Sequence, residues 1–72
     1  MKVRDLIEVL ADHGWVLQRQ RGSHRQFKNV ASMHVITVAG QTGEDVPAGT
    51  LSKILRDAGL KKNLGKISKE QA

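Results

Sequence analysis

His24 lies in the run RGSHRQFK, residues 21–28, with Arg19, Arg21, Arg25 and Lys28 around it. From His13 to Gly43 there is no aspartate or glutamate. Histidine, with an ordinary pKa of ~6.5, can take or give a proton near neutrality. Cations beside it would hold a phosphate and favour negative charge developing in a transition state. Such a set suits cleavage of a phosphodiester by a neighbouring 2′-hydroxyl. One proton must leave that hydroxyl, another must reach the departing 5′-oxygen, and the extra charge must be stabilised. None of these tasks requires a metal or other cofactor, and a positioned acid or base contributes roughly 10² to 10⁴ in rate.

Other chemistries fit less well. Hard divalent cations want oxygen ligands, and the basic run offers no carboxylate. Glu44 and Asp45 come later and are read as partners of the dipole of a second helix. With no cysteine in the chain, disulfides and thiolate zinc sites are excluded. Ser23 lacks an acid-base constellation and reads as a turn residue. His13 suits a helix C-terminus, and His34 has no comparable setting. On local features alone, a histidine after a turn is most often an exposed polar residue, so that reading stands beside the catalytic one.

The elements that must position these residues follow from periodicity. Val3, Leu6, Ile7, Leu10 and Ala11 line one stripe of a helix from about Lys2 to His13, with Gly14 as its left-handed C′ residue. Trp15 to Gln20 reads as a strand, Gly22-Ser23 as a two-residue type II′ turn, and His24 to Asn29 as the returning strand. Asn29 to Met33 is a looser turn, and His34 to Val38 a third strand rich in β-branched residues. Ala39 to Val46 is loop. A second helix begins at Pro47 or Thr50, buries Leu51, Ile54, Leu55 and Ala58, and ends at Gly59 with Leu60 folding back.

The fold class is therefore α+β, in the order α-β-β-β-α, with two helices on one face of a three-stranded antiparallel sheet and the other face open. A two-residue turn sets Arg21 opposite His24, Arg19 opposite Gln26 and Leu17 opposite Lys28, with the basic residues on one face. Phe27 and Val16 are expected on the helix side. Trp15 and Leu17 would then share the basic face, unless a bulge near Gln18 resets the alternation.

Length and charge bound the rest. Seventy-two residues allow one small domain, residues 1–60, with a basic tail over 61–72 that is expected to be mobile or a short appended element. The net charge of +5 favours a polyanionic partner, RNA being the best fit to the clustered cations. No apolar run is long enough for a membrane span or a signal peptide, so the expected compartment is the cytoplasm.

The blocks MKVRDLIEVLADHG, GWVLQRQRGSHRQFKN, ITVAG and GTLSKILRDAGL, in this order over residues 1 to about 60, resemble the HicA family of toxin ribonucleases. The resemblance implies a fold similar to double-stranded-RNA-binding domains and metal-independent mRNA cleavage that arrests translation. It also implies a HicB-type antitoxin, with the free toxin a monomer and the complex a hetero-oligomer. The family's catalytic histidine matches His24, with Gly22 as the turn glycine before it. Ala39-Gly40-Gln41 departs from the proline and histidine that many relatives carry there. The start of the second helix lacks the lysine cluster that grips duplex RNA, so a single-stranded or flexible substrate is expected. Arg19, Arg21, Gly22, Ser23, Arg25 and Lys28 are then the expected RNA-binding residues. The competing reading is a non-catalytic RNA-binding module using the same cations. A DNA-binding regulator is disfavoured, because no turn presents a basic recognition helix.

Overall fold

Two glycines set where both helices stop. The computed structural model describes residues 1–60, and the expected basic tail lies outside them. Helix α1 (Val3–Asp12) ends where Gly14 turns left-handed, at φ +88°. The Gly14 N–H then bonds the Ala11 carbonyl, and the Trp15 N–H bonds the Leu10 carbonyl. Helix α2 (Ala48–Asp57) ends in the same way at Gly59, φ +76°, with Gly59 bonded to Arg56 and Leu60 to Leu55. This pair of bonds is the Schellman motif, which satisfies last-turn carbonyls and throws the following apolar residue back onto the helix. Trp15 and Leu60 accordingly lie in the core.

Between the helices run β1 (Val16–Arg21), β2 (His24–Lys28) and β3 (Val35–Val38), an antiparallel sheet in the order β1-β2-β3. The architecture is the expected α-β-β-β-α, the arrangement of double-stranded-RNA-binding domains. Val3, Leu6 and Leu10 of α1 and Ile54 and Leu55 of α2 share one core with Phe27, Ile36 and Val38 of the sheet. The opposite face, carrying His24, Gln26, Lys28, Val35 and Thr37, is exposed.

Register confirms part of the expected facing and corrects the rest. Arg21 pairs with His24 and Arg19 with Gln26, but Leu17 pairs with Phe27 and Val16 with Lys28. The shift lies between Leu17 and Arg19, so Gln18 is the extra residue of a bulge. Trp15 thereby reaches the core at 3% exposure, whereas Val16, expected inside, is 60% exposed on the outer side with Lys28.

The loop before α2 also differs from expectation. Glu44 and Asp45 serve the start of α1 instead of α2. The N–H groups of Val3 and Arg4 donate to the carbonyls of Glu44 and Thr42, and Lys2 forms an ion pair with Asp45 at 3.3 Å. Lys2 supplies no side-chain cap, so these carbonyls satisfy donors that the first helical turn leaves open. Pro47 occupies the N-cap position of α2, and its carbonyl accepts from Leu51.

Candidate active site and nucleic-acid interface

Gly22 has φ +58°, and among the described residues only glycines take a positive φ, so Ser23 does not. A positive φ confined to the first turn position is the signature of the expected type II′ turn, whose twist matches that of the flanking strands. Arg21 and His24 close it as the last cross-strand pair.

Side chains tie the turn down from both strands. Gln20 Nε2 donates to the Gly22 carbonyl at 3.0 Å. Arg25 Nη1 donates to the Ser23 carbonyl at 3.3 Å and to the Gly40 carbonyl at 2.9 Å. The hairpin tip is therefore fastened to the loop after β3, and His24 projects from a fixed base.

On the outer face, His24, Arg19, Arg21 and Gln26 line one cavity of about 220 Å³. Gln26 is the site residue that sequence reasoning missed. Two signals pointed to it: it shares the parity of His24 on β2, and it stands opposite Arg19. Lys28 lies on the same side, two residues beyond Gln26. Gly22 and Ser23 form the turn itself, with Ser23 half-buried. Arg25 is set apart from the other cations, since it alternates with them, pairs with Val38 and donates from Nη1 to two backbone carbonyls.

The electrostatics of this face are one-sided. Among the described residues the ion pairs are Lys2–Asp45 and Arg56–Asp57, neither of which involves a residue of the three strands. Arg19, Arg21 and Lys28 have no acidic partner among the described residues, so no described carboxylate opposes their field there. The His24 ring makes no hydrogen bond among the described residues and is exposed. His13, in contrast, donates from Nδ1 to the Val9 carbonyl at 2.8 Å, the helix-end role expected of it. The three strands carry no carboxylate, although Asp57 of α2 lines a cleft with Val35 and Thr37 at the β3 edge, and among the described residues no three His, Asp or Glu side chains cluster as a metal site.

This arrangement can bind a phosphate between Arg19 and Arg21 and hold it beside an imidazole that is free to rotate. Among the described residues no helix is long and apolar enough to cross a membrane. Residues 3–60 match a family model described as the HicA toxin of bacterial toxin-antitoxin systems. No curated protein matches the chain.

Proposed function

The chain belongs to the HicA toxin family of bacterial toxin-antitoxin systems, and from that premise we propose that it is a metal-independent endoribonuclease that cleaves mRNA in the cytoplasm. The observation that carries this reading is the cavity in which His24 meets Arg19, Arg21 and Gln26 with no carboxylate in its lining.

In this reading RNA lies on the open sheet face with its scissile phosphate between Arg19 and Arg21. His24 is the general acid-base. As a base it takes the proton of the 2′-hydroxyl, the 2′-oxygen bonds to phosphorus, and the bond to the 5′-oxygen breaks. A proton delivered to that oxygen leaves a 2′,3′-cyclic phosphate and a 5′-hydroxyl. The arginines offset the charge that accumulates on the phosphate oxygens. Gly22 and Ser23 shape the turn that presents His24, and Lys28 holds the RNA further along β2. A HicB-type antitoxin silences the enzyme by covering the same basic face.

The non-catalytic RNA-binding alternative rests on one observation, the lack of a hydrogen bond to orient the His24 ring. Catalytic contacts often tighten only when substrate binds, so the exposed ring does not favour that alternative strongly. The deciding experiment is His24→Ala. Cleavage of RNA in the presence of chelator should vanish while RNA affinity and antitoxin binding persist; undiminished cleavage by the variant would remove His24 from the mechanism.

A further inference from the structure

Beyond the His24 cavity, the same sheet face continues into a second cleft of about 420 Å³, lined by Gly14, Val16, Gln18, Lys28, Asn29, Val30 and Ser32. Resting on the nuclease reading, we propose that this cleft is a subsite for a nucleotide further along the strand than the immediate neighbour of the one at His24, with Lys28 on its phosphate and its base between Val16 and Val30.

Distance is the first support. Lys28 is four residues beyond His24 on β2, which at ~3.3 Å per residue is about 13 Å. That exceeds the reach of one phosphate group and lies within a short oligonucleotide. Volume is the second, since the cleft falls within the size range of small-ligand pockets.

The lining supplies the third. Val16 is 60% exposed and Val30 fully exposed, and they offer apolar contact for a base without a buried polar cost. Gln18 is the bulge residue, without a cross-strand partner, and its amide makes no hydrogen bond among the described residues. It can both donate to and accept from a base edge. The Ser32 hydroxyl accepts from the His34 N–H at 3.1 Å and keeps its own proton to donate.

Asn29 has a different part. Its Nδ2 donates to the His13 carbonyl and its Oδ1 accepts from the Ala31 N–H, both at 2.9 Å. Both ends of the amide are engaged, so Asn29 makes a fixed wall that joins the end of α1 to the β2–β3 turn. Lys28 has no ion-pair partner among the described residues, so a phosphate faces no competitor there. The bulge that carries Trp15 into the core thus also presents Gln18 to the second cleft.

The test is fluorescence anisotropy with 2′-O-methyl oligonucleotides, which lack the 2′-hydroxyl needed for cleavage, lengthened one nucleotide at a time. The expected result is a step of about tenfold in affinity at the length that spans both cavities. Gln18→Ala should shrink that step. Lys28→Ala should remove most of it and lower the slope of log affinity against log salt by about 0.7, the value for one phosphate contact on a single strand. Lys53→Ala, which removes a cation from α2, should leave the step intact. A step unchanged in the Lys28 and Gln18 variants, or no step at all, overturns the subsite; the first outcome would also suit a cleft that serves a protein partner. The nuclease reading is judged separately by cleavage of unmodified RNA. Absent cleavage with the step retained would sink that reading and leave a surface that binds a short oligonucleotide.

Discussion

Arg25 Nη1 donates to the Gly40 carbonyl oxygen at 2.9 Å, joining the start of the central strand to a loop fifteen residues away in sequence. The same nitrogen reaches the Ser23 carbonyl, so one guanidinium fixes the residue just before His24. A cation that reads as a phosphate ligand by its neighbours in sequence also serves, in the fold, as a fastener.

Arg25 and Arg19 should therefore fail in different ways. A hydrogen bond from a charged group contributes ~1.5–3 kcal/mol, so Arg25→Ala should lower stability by about 2 kcal/mol. At this chain length each lost kcal/mol lowers the melting temperature by roughly 4–8 °C. Arg25→Lys, which keeps the charge but puts its donors on a single nitrogen at the end of a flexible stem, should fall between. Arg19→Ala should change stability by less than about 0.5 kcal/mol, as an exposed substitution does, while weakening RNA binding. Thermal unfolding beside RNA titration separates the two; equal stability losses for both would refute the division of labour.

The glycines give a second, ranked prediction. An alanine at Gly22 meets nothing within 4 Å but must adopt φ +58°, a strain of ~1–2 kcal/mol. Gly59→Ala is alike, with φ +76° and open space. Gly14→Ala carries the same backbone strain, and its Cβ would sit 3.2 Å from Asn29 Nδ2, disturbing the bond to the His13 carbonyl. Stability should fall most for Gly14→Ala, by denaturant melts on all three variants. Cleavage measured well below each melting point should fall most for Gly22→Ala, because Gly22 shapes the turn before His24.

What could be read from the sequence divides along the range of the interactions. Both Schellman ends and the type II′ turn were legible because glycine chemistry and three or four adjacent residues decide them. The helical stripes were legible for the same reason, although Ala11 is exposed and Val9 packs against the core in its stead. The site's cluster of Arg19, Arg21 and His24 followed from turn length and strand parity. Val16 was misplaced because its facing depends on whether Trp15 or a regular ladder prevails, and burial of the indole prevailed at the expense of a bulge at Gln18. Glu44 and Asp45 were assigned to the nearer helix in sequence, but α1 is the one they meet in space. Arg25 shares the parity of Phe27, which is visible in the sequence; its partner Gly40 is not.

The unopposed charge of the outer face should show in the salt dependence of RNA binding. For single strands, log affinity falls with log salt by about 0.7 for each phosphate neutralised. Replacing Arg19 or Arg21 by alanine should each reduce that slope by about 0.7, as removal of one contact requires. Arg56→Ala should not, because Arg56 lies on α2 with Asp57 as its ion-pair partner at 3.9 Å. Isothermal titration at several salt concentrations gives the slopes, and an equal effect from Arg56 would mean that RNA responds to net charge and not to the sheet face.

The last prediction concerns the substrate's hydroxyl. With His24 proposed as the proton-transferring side chain and no carboxylate lining its cavity, the nucleophile best supplied is the one the RNA carries itself. An oligonucleotide with a single ribose in an otherwise deoxy chain should be cut only after that ribose, leaving a 2′,3′-cyclic phosphate on one fragment and a 5′-hydroxyl on the other. The fully deoxy strand should bind and stay intact. Mass spectrometry of the fragments distinguishes this from attack by water, which would leave an open phosphate from the first turnover and would not need the 2′-hydroxyl. Cleavage of the all-deoxy strand would show that the nucleophile comes from elsewhere and that the cationic cavity only holds the phosphate.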